Sequence, residues 1–173
     1  MNAIRILSAG AGAAILVLTL AGASAVAADP SGTPAIGGIT CDRAEGSVFH
    51  IHQHLALFDH GRPMTIPSDI GRPLAGECLY WIHTHSPDGL IHIESPKFQT
   101  FTLGEFFDIW GQPLSATRLA SATFARGQLH AFLNGHAYAG DPRKIELLGH
   151  SVIVLEAGPP YASPAAFTDW QGQ

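Results

Sequence analysis

A mostly β domain is the fold class this sequence predicts: an antiparallel sandwich or small barrel with one short helix, or alternatively an α+β sheet packed by that helix. Three observations lead there. Short segments with the two-residue hydrophobic period of strands recur along residues 47–58, 78–85, 90–95 and 128–138. Turn sequences such as Pro87-Asp88-Gly89 and Asn134-Gly135 divide them, and only one stretch, residues 102–111, carries helix start and stop signals.

The N-terminus reads differently from the rest. Arg5, an apolar Ala/Leu-rich run over residues 9–20 and the small residues Ala23, Ser24, Ala25, Ala27 and Ala28 match a secretory signal peptide over residues 1–28. The apolar run falls short of the roughly 20 residues that a spanning helix needs, and no second run of spanning length follows. The mature chain is therefore expected to be exported, periplasmic or secreted, with no membrane insertion. Residues 29–39, rich in Gly, Pro, Ser and Thr, read as a flexible lead-in, and residues 40–173 as a single histidine-rich metal-binding β domain with an irregular C-terminal tail. Without Arg5, eight Lys/Arg face fourteen Asp/Glu, a formal charge of −6 with no basic cluster, which excludes the electrostatic footprint of a nucleic-acid or anionic-lipid binder. A protein partner is not legible.

Within the domain, residues 47–58 place His50, His52, His54, Ala56 and Phe58 on one face and Ile51, Gln53, Leu55 and Leu57 on the other. Asp59-His60-Gly61-Arg62-Pro63 then forms a turn, with a return strand at residues 64–66. Residues 78–85 and 90–95 flank Pro87-Asp88-Gly89 as a hairpin, because Pro presets φ and Gly accepts a positive one. Thr102 and Glu105 form a capping box, and Gly111 and Pro113 end a helix of two or three turns. Asn134-Gly135 marks a second hairpin, residues 145–148 and 152–156 read as two more strands, and the tail from Gly158 has no clear period.

Seven of the ten histidines fall between residues 50 and 92, and pairs of H-x-H or H-x-E spacing occur at His52/His54, His83/His85 and His92/Glu94. Neutral imidazole is a good ligand for Zn, Cu, Fe and Ni, and alternate residues of a strand project from one face about 6.7 Å apart, so two rings can converge on one ion. One such pair is weak evidence, since a solvated strand can carry histidines. Three pairs in one short segment point to a transition-metal site made of His52, His54, His83, His85, His92 and Glu94, with His50 either a further ligand or just outside. His60, His130, His136 and His150 read as surface or structural residues. Copper(II) or zinc(II) fits the nitrogen-rich set best; iron, manganese and nickel stay open if Glu94 ligates.

Hairpin register decides how many of these groups meet. A four-residue loop pairs His85 with Leu90 and sets His83 opposite His92 and Trp81 opposite Glu94, all on one face. A three-residue bulged loop pairs Thr84 with His92 and leaves His92 and Glu94 apart from the His83/His85 pair. Turn statistics alone favour the bulged loop for Pro87-Asp88-Gly89, and the sequence does not decide between the two registers. Cys41 and Cys78 are expected to form a disulfide in an oxidising compartment, or else to serve as thiolate ligands, since each lies near a histidine motif.

The strings HIHQHLALF, CLYWIHTHSPDGLIHIESP and FTLGEFFDIWG resemble a poorly characterised group of small exported bacterial and archaeal histidine-rich domains that carry HxHxHL and HTHxxxGxIHIE segments. The resemblance spans roughly residues 40–112. It implies a shared fold and site, without an activity. The residues themselves favour metal handling, sensing or sequestration. The alternative is a small mononuclear metalloenzyme, with cupin-like oxygen chemistry or metal-assisted hydrolysis and Glu94 as its catalytic group. No phosphate-binding loop, dinucleotide fingerprint or nucleophile elbow is present.

Overall fold

The computed structural model describes residues 32–73, 77–164 and 166–170, so the segment read as a signal peptide lies outside the described residues. In chain order the elements are β1 (Cys41–Asp42), β2 (Phe49–Asp59), β3 (Arg62–Met64), β4 (Leu79–Tyr80), β5 (Ile82–His83), β6 (Leu90–Ser95), α1 (Leu103–Trp110), β7 (Arg118–Leu119), β8 (Ala122–Thr123), β9 (Leu129–Leu133), β10 (His136–Ala137), a 3-10 turn (Pro142–Lys144) and β11 (Val152–Ala157). The fold is mostly β with one short helix. Its main sheet runs β10-β9-β11-β2-β6-β5, β3 pairs with β2, and the pairs β1–β4 and β7–β8 stand beside it; among the described residues the strands do not close into a barrel. β11 lies parallel to β2, so the sheet is mixed rather than wholly antiparallel.

The long strand β2 organises the rest through its alternation. Leu55 and Leu57 join Ile91 and Ile93 of β6, Ile153 and Leu155 of β11, and Phe106 and Phe107 of α1 in one continuous buried core. Burying each of these side chains contributes about 1.5–3 kcal/mol, which fixes β2 with its histidine face turned away from the core. Gln53 shares the core face and is held there by a bond from its Nε2 to the Ile91 carbonyl, 2.9 Å.

Local chemistry fixes the ends of the elements. The Thr102 hydroxyl accepts from the Glu105 backbone while the Glu105 carboxylate accepts from the Thr102 N–H, and Gly111 ends α1 with a left-handed backbone, φ 69°. Asn134 and Gly135 both have positive φ between β9 and β10, where a tight two-residue hairpin needs it. At Gly89, φ is +82°, and a Cβ would run into the Leu55 carbonyl.

Some expected elements differ. The segment 78–85 breaks at Trp81 into β4 and β5, and the return strand after β2 starts at Arg62. Residues 145–148 make only one bridge, between Glu146 and Thr102, instead of a strand. The hairpin β7–β8 has no clear sequence signal. Within the expected lead-in, residues 33–39 lie against the domain: Ile39 is buried, Ile36 bridges to it, and the Tyr80 hydroxyl donates to the Pro34 carbonyl at 2.7 Å. The disulfide Cys41–Cys78 is formed, which removes both sulfurs from the candidate ligands and ties β1 to the start of β4. No helix among the described residues is long and apolar enough to cross a membrane.

Candidate metal centre

Three adjacent strands build the site. In the observed register His83 of β5 pairs with His92 of β6, and His92 pairs with His52 of β2, so three imidazoles form one row across the sheet. The next row holds Glu94 opposite His50, and the Glu94 N–H donates to the Trp81 carbonyl at 2.8 Å. This is the four-residue-loop register. Asp88 stabilises it by accepting from the Leu90 N–H at 2.9 Å and from the Ser86 hydroxyl at 2.9 Å.

Side chains converge accordingly. His50 Nε2 lies 2.9 Å from His52 Nε2 and 3.1 Å from Glu94 Oε1. His83 Nε2 lies 3.1 Å from His85 Nε2 and 3.7 Å from Glu94 Oε2, and His92 Nδ1 is 3.8 Å from Glu94 Oε1. Two atoms bound at about 2.1 Å to one tetrahedral ion stand about 3.4 Å apart, so these separations are those of a ligand set. Two groups have ligand atoms all within 4.8 Å of one another: His50, His52, His92 and Glu94, and His83, His85, His92 and Glu94. These buried His/Glu groups could hold a metal ion.

Neighbouring groups set the tautomers. His83 donates its Nδ1–H to the Tyr80 carbonyl at 2.9 Å, which leaves the Nε2 lone pair facing the cluster. Arg72 donates to His85 Nδ1 at 3.3 Å, so His85 presents Nε2–H toward His83 when no ion is bound. The loop carrying Arg72 is pinned to the end of β5 through Thr84, whose hydroxyl donates to the Pro67 carbonyl and accepts from the Ile70 N–H.

Burial shapes the electrostatics. It pushes the imidazolium form of His83 down to about 4, against the Tyr80 carbonyl that favours it. Burial, reinforced by His50, takes His52 to about 4, and burial with His52 and His85 takes His92 to about 3. The rings are therefore neutral and ready to coordinate. Burial also raises the Glu94 carboxyl to about 7, with Glu45 adding to the effect and Arg72 opposing it. His92 Nδ1 and Glu94 Oε2 are buried without a hydrogen-bond partner, a cost of about 1–3 kcal/mol each that a cation between them would relieve.

The structure brings together five of the six residues singled out first, namely His52, His83, His85, His92 and Glu94, and adds His50 to them. His54 stands apart. Its row partner is Leu90, its Nε2 donates to the Asp88 carbonyl at 3.2 Å, and its ring stacks on Phe167 of the tail at 3.7 Å. His130 stacks on Tyr161 and His150 lies against Trp170, so the tail covers parts of the sheet beside the cluster. Glu45 and Arg72 reach the rim without any motif to announce them; Glu45 Oε1 is 4.0 Å from His85 Nε2. A cavity of about 620 Å³ lined by Leu114, Leu129, Ala131, Tyr138 and Arg143 contains no histidine, and its Arg143 is already paired with Asp108 at 2.6 Å. No protein-family model, no curated protein and no solved structure matches the chain.

Proposed function

We propose that this is an exported metal-handling protein that captures transition metal at the cluster formed by His50, His52, His83, His85, His92 and Glu94. The observation that carries the reading is the row His83–His92–His52, with Glu94 beside it on the same face. Three neutral, largely buried imidazoles on a rigid sheet bind without reorganising, and a carboxylate completes a donor set suited to copper(II) or zinc(II) and open to iron, manganese or nickel. A formed disulfide accords with an oxidising compartment, periplasmic or extracellular.

Metal content of protein purified from its native compartment tests this directly. Bound copper or zinc that a chelator removes, and that returns on dialysis, supports the reading. Protein that neither carries nor regains a transition metal contradicts it.

One observation favours a second reading, hydrolysis assisted by the ion. The His50 side chain is 51% exposed and that of His85 34%, so the cluster opens to solvent on one side. A bound ion would supply Lewis acidity, and Glu94 could hold or release a proton near neutral pH. Glu94→Gln separates the two roles: loss of metal makes the carboxylate a ligand, whereas retained metal with loss of turnover makes it a base.

A further inference from the structure

The six candidate ligands do not gather about one point. They form two groups that share His92 and Glu94, with His50 and His52 on the β2 side and His83 and His85 on the β5 side. For one ion with bonds of about 2.1 Å, no two ligand atoms can be more than about 4.2 Å apart. The β2 and β5 histidine pairs satisfy this within each pair, at 2.9 Å and 3.1 Å, but are not united in a single group. The strand order explains the division. β6 lies between β2 and β5, so each outer strand offers its own histidine pair across the central residues His92 and Glu94.

The carboxylate is oriented for two partners. Glu94 Oε1 faces His50 Nε2 at 3.1 Å, while Oε2 faces His83 Nε2 at 3.7 Å. We propose that the site is dinuclear, with His50 and His52 holding one divalent ion, His83 and His85 holding a second, and Glu94 bridging them through its two oxygens. His92 stands between, its ring 4.5 Å from His52 and 4.4 Å from His85. Two ions bridged in this way lie about 3.5–4 Å apart, a spacing at which carboxylate-bridged pairs are well known. The bridge also removes the unpartnered state of the buried Oε2.

This inference rests on the metal-binding reading and goes beyond it in stoichiometry, so the experiment distinguishes the two. The chelated full chain is dialysed against zinc(II), and zinc per chain is measured by native mass spectrometry and elemental analysis. Two ions per chain are expected, falling to one in His50→Ala/His52→Ala and to one in His83→Ala/His85→Ala. One ion in the wild type, weakened by both double variants, would overturn the dinuclear proposal and leave metal binding intact; no ion would overturn both. Loading the wild type with copper(II) gives a check that needs no variant. Electron paramagnetic resonance should show a spin-coupled pair with a half-field transition, and an uncoupled mononuclear spectrum at saturation would overturn the proposal.

Discussion

His83 lies directly opposite His92 in the antiparallel register of β5 and β6, their rings near parallel with centroids 5.6 Å apart. A one-residue slip of that hairpin would send both rings to opposite faces. The site therefore depends on the turn at residues 86–89 as much as on the histidines.

That dependence is measurable at Gly89. With φ at +82° and the Leu55 carbonyl where a Cβ would go, Gly89→Ala should destabilise the fold by about 1–3 kcal/mol and weaken metal binding. Gly111, also at positive φ but facing open space, provides the comparison. Gly111→Ala should cost less in a denaturant titration and leave metal affinity unchanged; equal costs would show that the close approach to Leu55 does not matter.

Ligand substitutions should sort by row. His83→Ala or His92→Ala should lower affinity by more than the roughly 10–100-fold that loss of a supporting partner costs. His54→Ala should leave affinity within a few-fold, because His54 bonds to Asp88 and stacks on Phe167 rather than joining the cluster. Calorimetric titration with zinc(II) checks both, and a large loss in the His54 variant would mean that its ring turns into the site.

Arg72 opposes a cation at the rim while holding His85 in the tautomer that points a proton at His83. A unit charge roughly 6 Å from a divalent ion costs about 1.4 kcal/mol even at the dielectric of water, so Arg72→Gln should raise affinity about tenfold at low salt. The gain should shrink as ionic strength rises. An Arg72→Gln protein that binds more weakly would assign the arginine a supporting role instead.

Acid should loosen the metal-free fold. His52 and His83 titrate near 4 and His92 near 3 when folded, against 6.5 in the unfolded chain, so unfolding takes up protons between about pH 6.5 and 4 and stability falls as pH drops through that window. Glu94 acts in reverse, because its folded value near 7 exceeds its ordinary 4.5 and its contribution is lost as pH rises from 4.5 to 7. Three imidazoles outweigh one carboxyl. The melting temperature of chelated protein should therefore fall from pH 7 to pH 5, and in Glu94→Gln it should fall more steeply, since the opposing group is gone.

Much of this arrangement was legible in the sequence because local rules agreed with one another. The β2 alternation, the Asn134-Gly135 turn and the Thr102/Glu105 capping box each specify geometry within a few residues, and each is observed. The hairpin register was not legible, since turn statistics for Pro87-Asp88-Gly89 lean toward a bulged loop while the observed register has the four-residue one, where Asp88 bonds to Leu90 and Ser86. His50 could not be assigned until β6 placed Glu94 across from it. His54 followed the face rule, yet its surroundings come from Phe167, more than a hundred residues along the chain. Arg72 and Glu45 reach the rim from loops, where no periodicity marks them. The parallel pairing of β11 with β2 is likewise a long-range contact without a local signature.

The disulfide links stability to the site. Its 37-residue separation corresponds to about 4 kcal/mol in the chain-entropy account, and it anchors β4 one residue before Trp81 and β5. Reduction should lower thermal stability and weaken metal binding together. Unchanged affinity in the reduced, still folded protein would uncouple the two.

X-ray absorption at the K edge of the ion in the loaded protein tests the central claim most directly. Ligation by this histidine row predicts a first shell of nitrogen and oxygen at about 2.0–2.1 Å together with the outer-shell scattering of imidazole rings. That imidazole scattering should diminish in a triple variant that replaces the whole row, His52, His83 and His92, by alanine. A shell of oxygen alone, or one identical in wild type and variant, would contradict the assignment of the metal to these histidines.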